Sequence, residues 1–437
     1  MTVRFLALAA TSTIGTCLFA LWVWKLRSRR KQGKVKFGRE IREQEFVISK
    51  EVSPCNNGSF GATPRPVLRA RQRFVDEAED NPDDFFVSSK AMIYYEESLL
   101  TVADFVGAKM EHLVFVQNTT TGINSVMKSF KFNKGDSILV SSLTYPAIVN
   151  MAMDVCDNSD KELQFIKVNI NFPIHGKDEV IQKYIDILEA NPSIRVAIID
   201  HITSSTALLM PIQELIQACH DRGVQVVIDG AHAPGQVQLN LEQLGADYYV
   251  GNLYKWLFAP RPSAFLWVNQ KHYKTVKPLV TSHNYQQSLQ NQFYQQGACD
   301  YSQYFSSEAA IQFYQDIGGY EAVSQYNREM VEWAMEMLAE AWQTECLPIP
   351  DDMRAPFMGM VALPEGCIIN VPTTVSRDYT EKLKEEIHNK YKISILLGYI
   401  QDRFWCRLCS HVYNSKEDYF NVRDAFLDMK MENSKIS

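Results

Sequence analysis

The sequence predicts an α/β protein with two parts: a larger domain around a mostly parallel seven-stranded sheet, and a smaller C-terminal α+β domain. Two patterns carry this expectation. From Leu113 to Val268, short apolar runs of strand type alternate with helical runs, as β-α-β units require. After Gly319 a long helical stretch, Glu321–Thr344, leads into shorter strands and helices in a different order.

The elements follow in chain order. Phe5 to Trp24 carries no charge, and as a helix its 20 residues would span ~30 Å, the thickness of a bilayer's hydrocarbon. Trp22 and Trp24 stand where an interfacial aromatic belt would lie, and a basic run follows at Lys25, Arg27, Arg29, Arg30, Lys31, Lys34 and Lys36. The positive-inside rule then predicts a single-pass N-terminal transmembrane helix with the rest of the chain facing the cytosol. A cleaved signal peptide is the rival, but a basic cluster stands where its cleavage site should be. Residues 40–100 read as loops and helices folded onto the body.

Expected strands are Leu113–Gln117, Ser137–Ser141, Leu163–Val168, Arg195–His201, Val224–Asp229, Ala246–Gly251 and Ala264–Val268. Between them, helices are expected at Thr121–Phe132, Ala147–Val155, Val180–Ala190, Pro211–Arg222 and Leu241–Leu244. The small domain would hold strands near Phe357–Leu363, Ile368–Val371, Ile393–Leu396 and Arg403–Cys409, covered by helices Tyr379–Tyr391 and Lys416–Met431. The expected organisation is an anchor and basic segment at 1–42, an N-terminal segment with the large domain at 43–320, and a linking helix with the small domain at 321–437.

Composition narrows the function. A hydrophobic content of 46%, a charged content of 22% and a net charge of −7 describe a globular chain with no electrostatic case for nucleic acid. Nine irregularly spaced cysteines suit reduced thiols rather than a disulfide framework. Cys406 and Cys409 would point to opposite faces of one strand, and no second pair completes a zinc site, so no metal is expected. No Gly-x-Gly-x-x-Gly or Walker lysine pattern argues for a nucleotide.

The most informative stretch is Val224–Trp256. One strand ends on Asp229, and its neighbour ends just before Lys255 in an Asn-x-Tyr-Lys-Trp turn. A carboxylate and an amine at neighbouring strand ends converge on the crevice where open α/β sheets bind ligands. That pair suits pyridoxal 5′-phosphate (PLP): the amine can bond to its aldehyde, and the carboxylate can keep its pyridine nitrogen protonated. Asn118-Thr-Thr-Thr-Gly-Ile-Asn124 follows a strand and opens a helix, where free N–H groups and the helix dipole favour a phosphate. Thr119 or Thr120 is alternatively a plain helix cap. Tyr145 can lie on a pyridine face or pack at its turn. Ser204 and His232 can hydrogen-bond a phenolic oxygen, although His232 also reads as a structural histidine. Arg407 can clamp a substrate α-carboxylate or join an interdomain ion pair.

Six segments occur together in one order: Asn56–Pro64, Asn118–Asn124, Asp200–Ser205, Asp229–Gly235, Gly251–Trp256 and Arg407…Asn414. They resemble the class V aminotransferase family of fold type I PLP-dependent enzymes, over roughly residues 45–430. Within it the chain is similar to the isopenicillin N epimerase-like group, which includes L-cysteine desulfhydrases and hercynylcysteine sulfoxide lyases. The resemblance implies PLP bonded to Lys255, Asp229 at the pyridine nitrogen and Thr119 and Thr120 at the phosphate. It also implies Tyr145 stacked on the ring and Arg407 at the substrate carboxylate; Ser204, His232, Asn252 and Tyr254 are further expected around the cofactor, and Asn57 at the substrate. A homodimer with sites at its interface is implied as well. Two departures stand out: Tyr254 replaces the histidine that often precedes the lysine, and Gly297-Ala-Cys-Asp300 replaces a common Gly-Thr-Arg-Asp loop. Cys346 and Cys367 do not sit in a recognisable desulfurase cysteine loop.

The expected function is labilisation of an amino acid's Cα proton, first as a C–S β-lyase on cysteine or a cysteine conjugate. Epimerisation and transamination start from the same step. A membrane-tethered binding scaffold that has kept the fold without the chemistry is the reading from another class.

Overall fold

In the computed structural model residues 36–435 are described. The transmembrane helix expected at Phe5–Trp24 lies outside them. Among the described residues no helix is long and apolar enough to cross a membrane.

The first strand, Ser53–Pro54 (β1), belongs to the N-terminal segment. Seven more build the large sheet: Leu113–Val116 (β2), Ser137–Ser141 (β3), Gln164–Val168 (β4), Ile194–Asp200 (β5), Gln225–Asp229 (β6), Tyr248–Asn252 (β7) and Ala264–Val268 (β8). Their order is β2-β8-β7-β6-β5-β3-β4. Only β8 runs against its neighbours. The expected strands are therefore present, each within two residues of its anticipated ends. They read clearly because strands covered on both faces are almost continuously apolar: β3 and β8 are buried along their whole length. The outer strand β4 is half exposed and carries Lys167, as a sheet edge requires.

The helix Thr119–Ser129 shows how sequence places the site. Asn118 caps it, its Oδ1 accepting the Thr121 N–H at 2.9 Å. Gly122 then lets the helix sit directly on β7, since a Cβ there would come within 2.6 Å of Val250 Cγ1. The first turn of the helix thus lies beside the carboxyl end of the sheet.

The helix Gly319–Trp342 leads to Met358–Ala362 (β9), Ile393–Ser394 (β10), Leu396–Ile400 (β11) and Arg403–Cys409 (β12). Strands β11, β12 and β9 form an antiparallel sheet packed against helices Gly319–Trp342 and Arg377–Tyr391, while helix Lys416–Asn433 lies on β1, β10 and Gly319–Trp342. The strand expected at Ile368–Val371 does not form. Asn370 has φ 56°, in the left-handed region that interrupts a strand. β1 pairs in parallel with β10, and buried Arg42 meets Asp418 at 3.0 Å. The N-terminal segment is therefore stitched into the small domain as well as laid on the body.

Candidate active site

Three strands end in side chains that face one cavity of about 840 Å³: Asp200 from β5, Asp229 from β6 and Asn252 from β7. Asp200 and Asp229 are register partners, which sets their side chains on the same face. Of the residues expected from sequence, Thr119, Thr120, Tyr145, Ser204, Asp229, His232, Asn252, Tyr254 and Lys255 line this cavity. Arg407 borders it through its contact with Ser204.

Asn57 is placed elsewhere. Its amide donates to Asn414 Oδ1 at 2.7 Å and its carbonyl accepts from the Tyr413 hydroxyl at 3.0 Å, so it ties the N-terminal loop to the small domain. Asn56 faces the cavity instead.

The Lys255 amine is buried and lies 3.0 Å from His232 Nε2. Burial lowers its pKa from 10.5 to about 7, against the pull of Asp229 and with the repulsion of Arg407. His232 is held well below the usual imidazole range by burial, then by Lys255 and Arg407, so it is neutral. Burial raises the Asp229 carboxyl, while the Ala231 N–H, 3.0 Å from its Oδ1, works the other way. Tyr254 is pushed up to about 12 by burial and Tyr145, which keeps it a neutral hydroxyl. Tyr145 is 40% exposed and lines the cavity.

At the helix start, hydrogen bonds decide what remains for a ligand. The Thr119 N–H donates to Asn252 Oδ1 at 3.0 Å, and Thr121 N–H is held by Asn118. Asn252 therefore positions the turn. Thr119 Oγ1 is buried without a partner. A phosphate fits here, because a buried hydroxyl left unpaired at a helix N-terminus is a donor awaiting an acceptor.

Arg407 is 0% exposed, and among the described residues no carboxylate bonds it. Nη1 donates to Ser204 O at 2.6 Å, and Nη2 to Asn56 Oδ1 at 2.6 Å and Ser59 Oγ at 3.2 Å. Its Nε has no partner. The interdomain ion pair considered from sequence is thus absent at this residue. A buried guanidinium held by neutral oxygens is prepared for an anion.

Together these groups fit a phosphorylated pyridine aldehyde: an amine, an acid for the ring nitrogen, a phosphate turn and an aromatic face. Sequence reasoning missed Asn56 and Ser59 at Arg407, Asp200 beside Asp229, and the outer rim at Arg377 and Thr380. Asp200 carried the same signal as Asp229, an acid closing an apolar strand.

Known proteins agree with this geometry. The chain is 28% identical over 410 residues to an L-cysteine desulfhydrase of Arabidopsis thaliana, covering 86% of this chain and 88% of that protein. It is 24% identical over 403 residues to a hercynylcysteine sulfoxide lyase of Schizosaccharomyces pombe, covering 90% and 97%. Among solved structures it is similar to a C-DES mutant with glycine covalently linked to its PLP cofactor, with TM-score 0.72, 19% identity and coverage of 89% and 99%. The sequence pattern described as Aminotransferase class-V matches residues 59–363, well over half the chain, and the protein belongs to that family.

Proposed function

We propose that this PLP-dependent enzyme is a C–S β-lyase that cleaves cysteine or a cysteine conjugate to a thiol or sulfide, pyruvate and ammonia. The observation that carries the reading is the pairing, across one cavity, of a deprotonatable buried lysine with a buried arginine that lacks a carboxylate partner. The names of the desulfhydrase and sulfoxide lyase relatives support the same reaction class.

The cofactor is pyridoxal 5′-phosphate, and when bound it supplies the electron sink that makes the substrate's Cα–H acidic. The protein's own groups do the rest. Arg407 takes the α-carboxylate through its two-nitrogen fork, with Asn56 and Ser59 fixing its plane. Lys255 would hold the cofactor through Nζ between turnovers and, once free of it, would take the Cα proton on that same atom. Neutral His232 keeps that amine oriented through Nε2. Asp229 would hold the ring nitrogen, Tyr145 would cover the ring, Ser204 would serve the phenolic oxygen, and Thr119 with Thr120 would hold the phosphate. Among the described residues no cysteine lines the cavity, which speaks against a persulfide carried on the protein.

Purified holoenzyme incubated with L-cysteine and S-substituted cysteines tests the reading. Equal yields of pyruvate, ammonia and thiol are expected, and loss of all three in Lys255→Ala. Formation of the D-amino acid without thiol release would instead make it an epimerase, and 2-oxo acid with sulfur retained an aminotransferase.

Two further parts of the reading rest on sequence and surface. Phe5–Trp24 with its basic flank is read as a membrane tether that leaves the enzyme in the cytosol. Sedimentation with membranes that survives alkaline extraction, and is lost when residues 1–36 are deleted, checks it. Pairing of two copies would cover the exposed Phe86, Val87, Ile93 and Leu100 on helices Pro82–Val87 and Lys90–Val106. Light scattering of the purified chain reads the oligomeric state.

A further inference from the structure

Asp200 has no place in the chemistry above, yet it lines the same cavity. It is 4% exposed, as is Asp229, and the two are partners in neighbouring parallel strands, where backbones run ~4.8 Å apart. Asp200 Oδ2 has no hydrogen-bond partner among the described residues. The Thr144 side chain and the Tyr145 backbone are its local donors.

The charges around the pair are few. Lys255 acts on both acids from across the cavity, but its amine would be taken up by the cofactor in the resting enzyme. Arg407 is turned to Ser204 and Asn56, and His201 bonds Tyr249 through Nδ1 at 2.8 Å. The Tyr184 hydroxyl, the remaining titratable group beside Asp200, is buried and uncharged. Arg377 and Lys384 also line the cavity, Lys384 paired with Glu381 at 2.6 Å, and among the described residues neither forms an ion pair with the two carboxyls, so the ring nitrogen of a bound cofactor would be the cation they meet. One positive charge balances one carboxylate and leaves no partner for a second.

We propose that Asp200 and Asp229 work as a carboxyl–carboxylate pair: Asp229 bears the charge that faces the ring nitrogen, and Asp200 stays a neutral acid donating its proton to Asp229. Burial and the neighbouring Asp229 charge both push the Asp200 carboxyl well above the ordinary range, as two carboxylates sharing one site require. Asp200 is then a positioning residue. It orients Asp229 and draws off part of its charge, which sets how firmly the ring nitrogen holds its proton. The inference rests on Asp229 facing that nitrogen.

Infrared difference spectra of the holoenzyme, wild type against D200N at neutral pH, test the proposal directly. A carbonyl stretch from a protonated carboxylic acid, shifted in D2O, is expected in wild type and lost in D200N. In D200N an amide N–H replaces the acid's O–H, so this variant is expected to bind PLP roughly tenfold more tightly than D200L, the scale of one hydrogen bond to a charged group. Absence of the acid band in wild type, its survival in D200N, or equal affinity of D200N and D200L would overturn the pairing. D229N separates the two ideas. If it leaves the bound cofactor's absorbance unchanged, the placement of Asp229 fails. If it alters that absorbance while D200N removes no acid band, only the sharing fails.

Discussion

Lys255 Nζ and His232 Nε2 lie 3.0 Å apart, His232 buried and Lys255 half-buried. Because His232 is held neutral, it does not compete with Lys255 as a cation, and its Nε2 shares a hydrogen bond with the amine. The lysine amine must move between the cofactor and the substrate's Cα, and His232 limits where it can go. His232→Ala should lower kcat by about 10²-fold, the usual scale for disturbed proton transfer, while KM changes by less than about threefold. Cα-deuterated cysteine checks the cause: the isotope effect should grow in the variant. An unchanged isotope effect would make His232 a packing residue.

The depressed Lys255 pKa has a consequence for the cofactor-free protein. Unfolded, the amine keeps its proton up to 10.5; folded, it releases it at about 7. Between those values the unfolded state binds more protons, so folding stability from this group rises with pH from about 7 to 10.5. Below pH 7 the folded apoprotein must bury an ammonium. Lys255→Met removes that burden, and its apo form should be more stable than wild type at pH 6 by up to about 5 kcal/mol. The gap should close towards pH 10 in thermal melts. Capture of cofactor by wild-type apoprotein should speed up through pH 7 and level off above it.

The helix start separates groups that hold the turn from groups left for a ligand. Thr119 Oγ1 has no partner, whereas Thr119 N–H is held by Asn252. Thr119→Val should weaken PLP binding by roughly tenfold or more, the loss of one hydrogen bond to a charged phosphate. Its apoprotein should melt no lower than wild type, because an unpaired buried hydroxyl has been removed. Asn252→Ala should do the reverse in the apo state, costing about 1–2 kcal/mol by orphaning the Thr119 N–H. Titration of cofactor and melting of both apoproteins distinguish the two roles.

The large sheet was legible because its strands are buried on both faces, and an acid or amide closing an apolar run marks the ligand end. Asp229 and Lys255 were found that way. Asn57 and Asn56 show the limit. Both lie in one loop, where no period of 2 or 3.6 says which side chain points inward, and only the fold assigns Asn57 to Asn414 and Asn56 to Arg407. The apolar segment Ile368–Val371 looked like a strand, but Asn370 turns left-handed between Pro364 and Pro372. Asp200 closes an apolar run as Asp229 does, so the ligand-end signal is present at both; that the two stand side by side comes from the register between strands, which spacing along the chain does not reveal.

Gly61 is the point where the N-terminal loop crosses the active-site lysine. A Cβ there would lie 2.2 Å from Lys255 O and 2.5 Å from Tyr254 O, both backbone atoms that cannot swing away. Gly61→Ala must therefore lift the loop or push the lysine. A destabilisation of about 1–3 kcal/mol is expected, the range for overpacking, together with a shifted absorbance of bound cofactor. Gly135→Ala is the control for general loss of helix-free glycine, since nothing lies within 4 Å of a Cβ there, although its φ of 82° carries some strain. A normal cofactor spectrum in Gly61→Ala would show that the loop yields without touching the lysine.

Arg407 offers the sharpest separation of binding from chemistry. Its guanidinium is fully buried, its partners are neutral oxygens, and its Nε is unpaired. Lysine keeps the charge but has a single donor head in place of the planar fork that matches a carboxylate. Arg407→Lys should therefore raise KM for cysteine by about 10- to 100-fold, with the larger part of the loss in kcat/KM. Arg407→Met should relieve an uncompensated buried charge, so the apoprotein should gain stability or keep it while substrate binding is lost. Steady-state kinetics on L-cysteine and on its methyl ester, which lacks the carboxylate charge, completes the test. Wild type should discriminate against the ester, and Arg407→Met should treat the two alike. Equal discrimination in both proteins would place the carboxylate elsewhere in the cavity.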